Sequence, residues 1–172
     1  IASAKAEAVR GVMDGGPAPL PKAVAFGQWP AALRAIGGQL AALQPALLDP
    51  AEVRAQREQA LQRFRDDPAC RLLLVVDAGG APLDLGLPDL PVLHLDRPWH
   101  PRTLARRFGR VHRRGQAHLV PVHHLVLAGT LEQRLVDTTD ARADMVSELM
   151  DAQPSDGFLQ GDALAAHAAD LA

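Results

Sequence analysis

Residues 71–80 read RLLLVVDAGG, five consecutive apolar residues from Leu72 to Val76 closed by an aspartate and a small-residue turn. Successive side chains of a strand point to opposite faces, so a run apolar at every position is buried on both faces, as in the interior of a parallel sheet. Shorter strands are predicted at 22–27 (KAVAFG), 91–95 (PVLHL) and 119–127 (LVPVHHLVL). Helical periodicity falls between them, at 3–13, 31–43, 50–65, 101–114, 130–150 and, more weakly, 161–171. Pro30 suits the start of the second helix, and Asp49-Pro50 reads as the N-cap and first residue of the third. Ala46 to Leu48 is a brief apolar patch between two helices. Helices alternating with buried strands predict a doubly wound α/β fold, a parallel sheet with helices on both faces. Ligands of such sheets sit at the carboxyl ends of the strands, which puts the loop 77–85 and the start of helix 101–114 on the functional edge. The sheet domain is expected to span 1–150, with a linker and short helix over 151–172.

Of the 172 residues, 48% are apolar, 22% charged and 3% aromatic. Cys70 has no partner, so a disulfide scaffold is excluded and a reducing compartment expected. No segment supplies the roughly 20 apolar residues of a membrane span, and the N-terminus lacks a signal-peptide layout. The expectation is a soluble cytoplasmic protein. Abundant Ala and Arg beside only Lys5 and Lys22 point to a GC-rich, bacterial source, and Ile1 in place of Met points to a piece of a longer chain.

The net charge of −2 conceals a polarised layout. Residues 1–96 sum to −2, 97–130 to +7 with no acidic residue, and 131–172 to −7. Screening confines such fields to about 10 Å, so a basic block can hold phosphates on a neutral protein. Within helix 101–114, Leu104, Phe108 and Val111 share one stripe, while Arg102, Arg106, Arg110 and Arg113 cluster opposite with Arg107 and Arg114 flanking. Guanidinium groups offer a planar fork of donors that matches phosphate oxygens. A solvated helix face is the plain alternative, but the block holds no acidic residue for i to i+4 pairing. Gly109, costly inside a helix by about 1 kcal/mol, suggests close approach by a backbone or a ligand.

The string 104–116, LARRFGRVHRRGQ, resembles helicase motif VI of the Swi/Snf-type DNA-dependent ATPases, LEQRIGRVHRIGQ. In order along the chain, 22–29 (KAVAFGQW) is similar to motif IV, 72–85 (LLLVVDAGGAPLDL) to motif V, 94–101 (HLDRPWHP) to D-x-P-W-N-P and 129–135 (GTLEQRL) to G-T-V-E-E-R-I. The resemblance implies a RecA-like fold and the second of two lobes that clamp ATP and Mg²⁺. The chain has no G-x-x-x-x-G-K-[ST], so the N-terminal RecA-like lobe of the same full-length protein is the implied partner, and the fragment alone is expected inactive. By resemblance Arg110 and Arg113 are the arginine fingers, and Gly79, Gly80, Asp84 and Gly109 face the nucleotide. Gln28, Arg97, Arg102, Arg106, Arg107 and Arg114 would contact double-stranded DNA, and the chain would be nucleoid-associated. Pro82 and Asp84 depart from motif V, the first removing a backbone donor and the second adding negative charge beside phosphates. They leave open a divergent, non-catalytic lobe that binds DNA backbone or protein. His112, His118, His123 and His124 lack the spacing of a metal site, and Ser3, Ser147 and Ser155 sit in no nucleophile elbow.

Overall fold

The apolar runs fold into one sheet. The computed structural model describes residues 1–16, 19–77, 90–98, 101–111, 121–136 and 138, with no side-chain description for Pro101, Arg102, Ala105, Phe108 or Val111. Residues Ile1–Val136 form one compact unit and Asp137–Ala172 a second; the architecture below is that of the first. In chain order its elements are α1 (Ala2–Asp14), β1 (Ala23–Gly27), α2 (Pro30–Gln39), a 3₁₀ turn (Ala41–Leu43), β2 (Ala46–Leu48), α3 (Arg54–Asp66), β3 (Leu72–Val76), β4 (Val92–His94), α4 (Pro101–Val111) and β5 (Val122–His124). Residues 131–136 are helical as well.

The strands pair in the order β2-β3-β1-β4-β5, every pair parallel. All five residues of β1 and of β3 are buried, as the unbroken runs require. Alternation along the strands builds two cores. Ala23, Ala25, Leu72, Leu74 and Leu93 face Ala6, Val9 and Met13 of α1 and Leu33 and Ile36 of α2. Val24, Phe26, Leu73, Val75 and Val92 share the other core with Phe64 of α3 and Cys70. Lys22 ends α3 by donating from Nζ to the carbonyls of Phe64, Arg65 (3.2 Å) and Asp67 (2.9 Å), where the helix dipole favours a cation.

Four local expectations are corrected. The apolar patch at Ala46–Leu48 is an edge strand paired with β3. The third helix starts at Arg54, four residues after the expected start at Pro50, and Asp49 does not cap it: the buried Asp49 carboxylate pairs with Arg34 and accepts from the amide of Ala51 (3.0 Å). Among the described residues of the strand expected over 119–127, Val122–His124 form the strand, and helix 31–43 stops at Gln39 before the 3₁₀ turn. The remainder of helix 130–150 and all of 151–172 lie outside the described residues.

Candidate functional site

At the carboxyl ends of the three central strands stand Gln28 after β1, Asp77 after β3 and Asp96 after β4. Helix α4 brings Arg107 to this edge. Its guanidinium is 1% exposed and donates from Nε to Asp77 Oδ2 (2.8 Å), from Nη2 to Asp77 Oδ2 and to Asp96 Oδ1 (2.6 Å), and from Nη1 to the Asp96 carbonyl (2.8 Å). Nη1 also meets Nδ1 of His94 at 3.1 Å. This corrects the sequence expectation for Arg107: it does not flank an outward row that reaches DNA but is buried in an ion cluster, its charge spent on two carboxylates. On the helical wheel it lies about 60° from Leu104, near enough to the apolar stripe to turn inward.

A guanidinium can only donate, so His94 Nδ1 is the acceptor and the proton sits on Nε2. His94 stacks between Phe26 (centroids 6.0 Å apart) and His124 (4.8 Å). Burial, with the charge of Arg107 and then His124 and Arg97 adding to it, pushes its pKa from 6.5 down to about 3. The folded value lies below the unfolded one, so in this window the unfolded chain binds more protons and stability falls as pH falls. Between pH 7 and pH 5 this one group is expected to cost about 2 kcal/mol of stability. Urea unfolding at the two pH values, compared between wild type and His94→Gln, measures it; equal pH dependence in both removes His94 as the cause.

Arg106 lies exposed on α4 and Arg110 half-buried one turn further on. Burial lowers the pKa of Arg110, Asp77 opposes that shift and the neighbouring Arg106 and Arg107 add to it. A guanidinium does not discharge in response. Arg110 is thus a fixed cation in partly desolvated surroundings, with the carboxylate of Asp77 and the guanidinium groups of Arg106 and Arg107 near it. Gly109 is exposed, and a Cβ there would meet nothing within 4 Å, so no described backbone or side chain accounts for the glycine. Close approach instead governs Gly27, where a Cβ would stand 3.0 Å from Leu33 Cδ2 and 3.5 Å from Asp96 Oδ2.

Gln28 and Arg97 lie at the carboxyl edge after β1 and β4, both partly exposed. Gly79, Gly80, Asp84, Arg113 and Arg114 lie outside the described residues, as does the side chain of Arg102. Sequence reasoning missed Asp96 and His94 as members of the site. The available signal was an aspartate closing each of two buried runs, 72–76 and 92–95, which flank the same central strand. Beside the cluster is an apolar pocket of about 310 Å³ whose walls include Ile1, Lys5, Gly27, Leu33, Leu127 and Glu132.

Residues 43–115 match the family described as the helicase conserved C-terminal domain. The TATA-binding protein-associated factor mot1 of Aspergillus fumigatus is 30% identical over 115 residues, 66% of this chain and 6% of that protein. The lymphoid-specific helicase of Homo sapiens is 33% identical over 89 residues, 51% of this chain and 10% of that protein. Among solved structures, the C-terminal part of the Fun30 ATPase domain superposes with a TM-score of 0.64 at 19% identity, covering 78% of this chain and 43% of that one. The Sulfolobus solfataricus SWI2/SNF2 ATPase core in complex with dsDNA gives 0.60 at 23%, covering 81% and 29%. By its fold the chain is a RecA-like lobe, a parallel five-stranded sheet wrapped by helices. Its residues 43–115 match the helicase C-terminal domain, and the chain is similar in fold to Swi2/Snf2 ATPase domains. The matched stretch is at most a tenth of the length of these two curated relatives. Both relatives are eukaryotic and lend no support to a bacterial source. No described helix is long and apolar enough to cross a membrane.

Proposed function

We propose that this chain is the second lobe of an ATP-driven translocase on double-stranded DNA, completing with an N-terminal lobe an active site of which it holds half. The observation that carries the reading is Arg110, a half-buried guanidinium on a helix that Arg107 pins to the carboxyl edge of the sheet. ATP, when bound, supplies the phosphoryl group. Arg110 and Arg113 neutralise the charge that develops on the transferring group, without moving a proton. Gly79, Gly80, Asp84 and Gly109 border the nucleotide. The donor set fits phosphates but not Mg²⁺: of the described carboxylates that close strands at this edge, Asp77 and Asp96 are taken up by Arg107 and Asp49, after β2, by Arg34. The metal is therefore assigned to the N-terminal lobe.

Gln28, Arg97, Arg102, Arg106 and Arg114 form the duplex track. Guanidinium contacts of this kind read the sugar-phosphate backbone, so affinity should ignore sequence and fall steeply with salt. A second reading, a non-catalytic lobe that keeps the fold as a DNA-backbone or protein-interaction module, is favoured by Pro82 and Asp84 in the motif V loop. One assay separates the two. In the two-lobe protein, duplex DNA is expected to raise ATP turnover roughly tenfold or more, about 1.4 kcal/mol off the barrier, whereas the 172-residue chain alone turns over negligibly. Absence of stimulated turnover in the two-lobe protein leaves the module reading standing, and robust turnover by the lone chain sinks the half-site.

A further inference from the structure

We infer that Asp96 is a positioning residue that couples the arginine helix to the DNA-facing loop after β1, one carboxylate oxygen holding Arg107 and the other the backbone N–H of Gln28. The inference rests on the motor reading above and adds to it the part that transmits between its two substrates. Asp96 Oδ1 accepts from Arg107 Nη2 at 2.6 Å, and Asp96 Oδ2 accepts from the Gln28 amide at 2.6 Å. Both are short bonds to an ionised carboxylate, the acceptor that gives charge-assisted bonds.

Each joint of the bridge is stiff. Arg107 is fixed to α4 at one end and by Asp77, His94 and the Asp96 carbonyl at the other, so it has no freedom to follow Asp96 independently of the helix. The acceptor's other partner is main chain, so whatever shifts Asp96 shifts the Gln28 peptide, from which Trp29 leads directly into α2. A displacement of α4 toward a phosphate is therefore felt at Gln28.

Asp96→Asn in the full two-lobe protein tests the bridge. Asn offers one acceptor oxygen where Asp offers two; with that oxygen on Arg107, its amide N–H faces the Gln28 N–H, donor against donor. Two readouts apply. Hydrogen exchange at the Gln28 amide, measured without nucleotide, is expected to quicken about tenfold on loss of the charge-assisted bond. The ratio of DNA-stimulated to DNA-free turnover is expected to fall by about tenfold. Simple structural damage lowers both rates together and leaves their ratio at the wild-type value, and that result overturns the inference. If Asp96→Asn does not fold, Arg107→Lys takes its place: a compact ammonium cannot reproduce the fork that joins both aspartates, and the same fall in ratio is expected. A wild-type protein with no DNA stimulation at all overturns the motor reading and this inference together, and does so before any substitution is made.

Discussion

Replacing Arg110 by alanine in the two-lobe protein is expected to lower ATP turnover by about 10³- to 10⁵-fold, or roughly 4–7 kcal/mol of transition-state stabilisation. The loss should fall on kcat. A cation aimed at charge that develops only during transfer contributes little to ground-state binding, so nucleotide affinity should move by a few-fold at most. Lysine is a poor replacement, because an ammonium is a compact point charge where the guanidinium offers a planar fork to two oxygens. Single-turnover hydrolysis, paired with equilibrium binding of a non-hydrolysable nucleotide, separates the two effects. Turnover within about tenfold of wild type would falsify the assignment of Arg110 as a finger.

Arg107→Ala is expected to be the most damaging single change to the fold itself. It leaves two carboxylates, Asp77 and Asp96, facing each other in a largely buried cluster without their cation. Breaking a buried pair by removing one partner costs about 3–5 kcal/mol, because the remaining charge cannot recover its hydration. At roughly 3–4 °C per kcal/mol for a unit of this size, the thermal midpoint should drop by about 10–20 °C. Arg106, adjacent in sequence but exposed, is the internal control: its alanine variant should stay within about 0.5 kcal/mol of wild type. Replacing Asp77, Asp96 and Arg107 together by apolar residues should recover most of the loss, since the cost lies in the uncompensated charge. Equal midpoints for the Arg106 and Arg107 variants would remove the cluster from the account of stability.

The contrast between these two arginines shows what was legible in the sequence. The sheet was, because Leu72 to Val76 and Ala23 to Gly27 are long enough, and apolar enough at every position, that burial on both faces is their plain reading. β2 was not: three residues after a proline carry too little pattern, and their status as a strand comes from pairing with β3. Asp49 illustrates a second kind of difficulty. Asp-Pro ahead of a charged helix has the composition of an N-cap, but Arg34 of α2, 15 residues earlier, claims the carboxylate. Arg107 is the same problem at the site. A search for acidic partners at i+3 and i+4 cannot see Asp77, 30 residues away, or Asp96, 11 away, because it is the parallel sheet that brings those strand ends together. The charge count along the chain was right that 97–130 is basic; it could not tell the cation that points out from the one that points in.

Lys5 bears on how the lobe responds to force. Its buried Nζ donates to the Leu125 carbonyl and to Glu132 Oε2 (2.6 Å), so α1, at the start of the chain, is riveted to the segment that leaves the sheet after β5. Glu132 Oε2 in turn accepts from the amide of Leu127 (3.0 Å). A pull applied between residues 1 and 132 is therefore carried in part by one lysine and its oxygens at the rim. Part of that load bypasses the strand pairs of the central sheet, which α1 also grips through the packing of Ala6, Val9 and Met13.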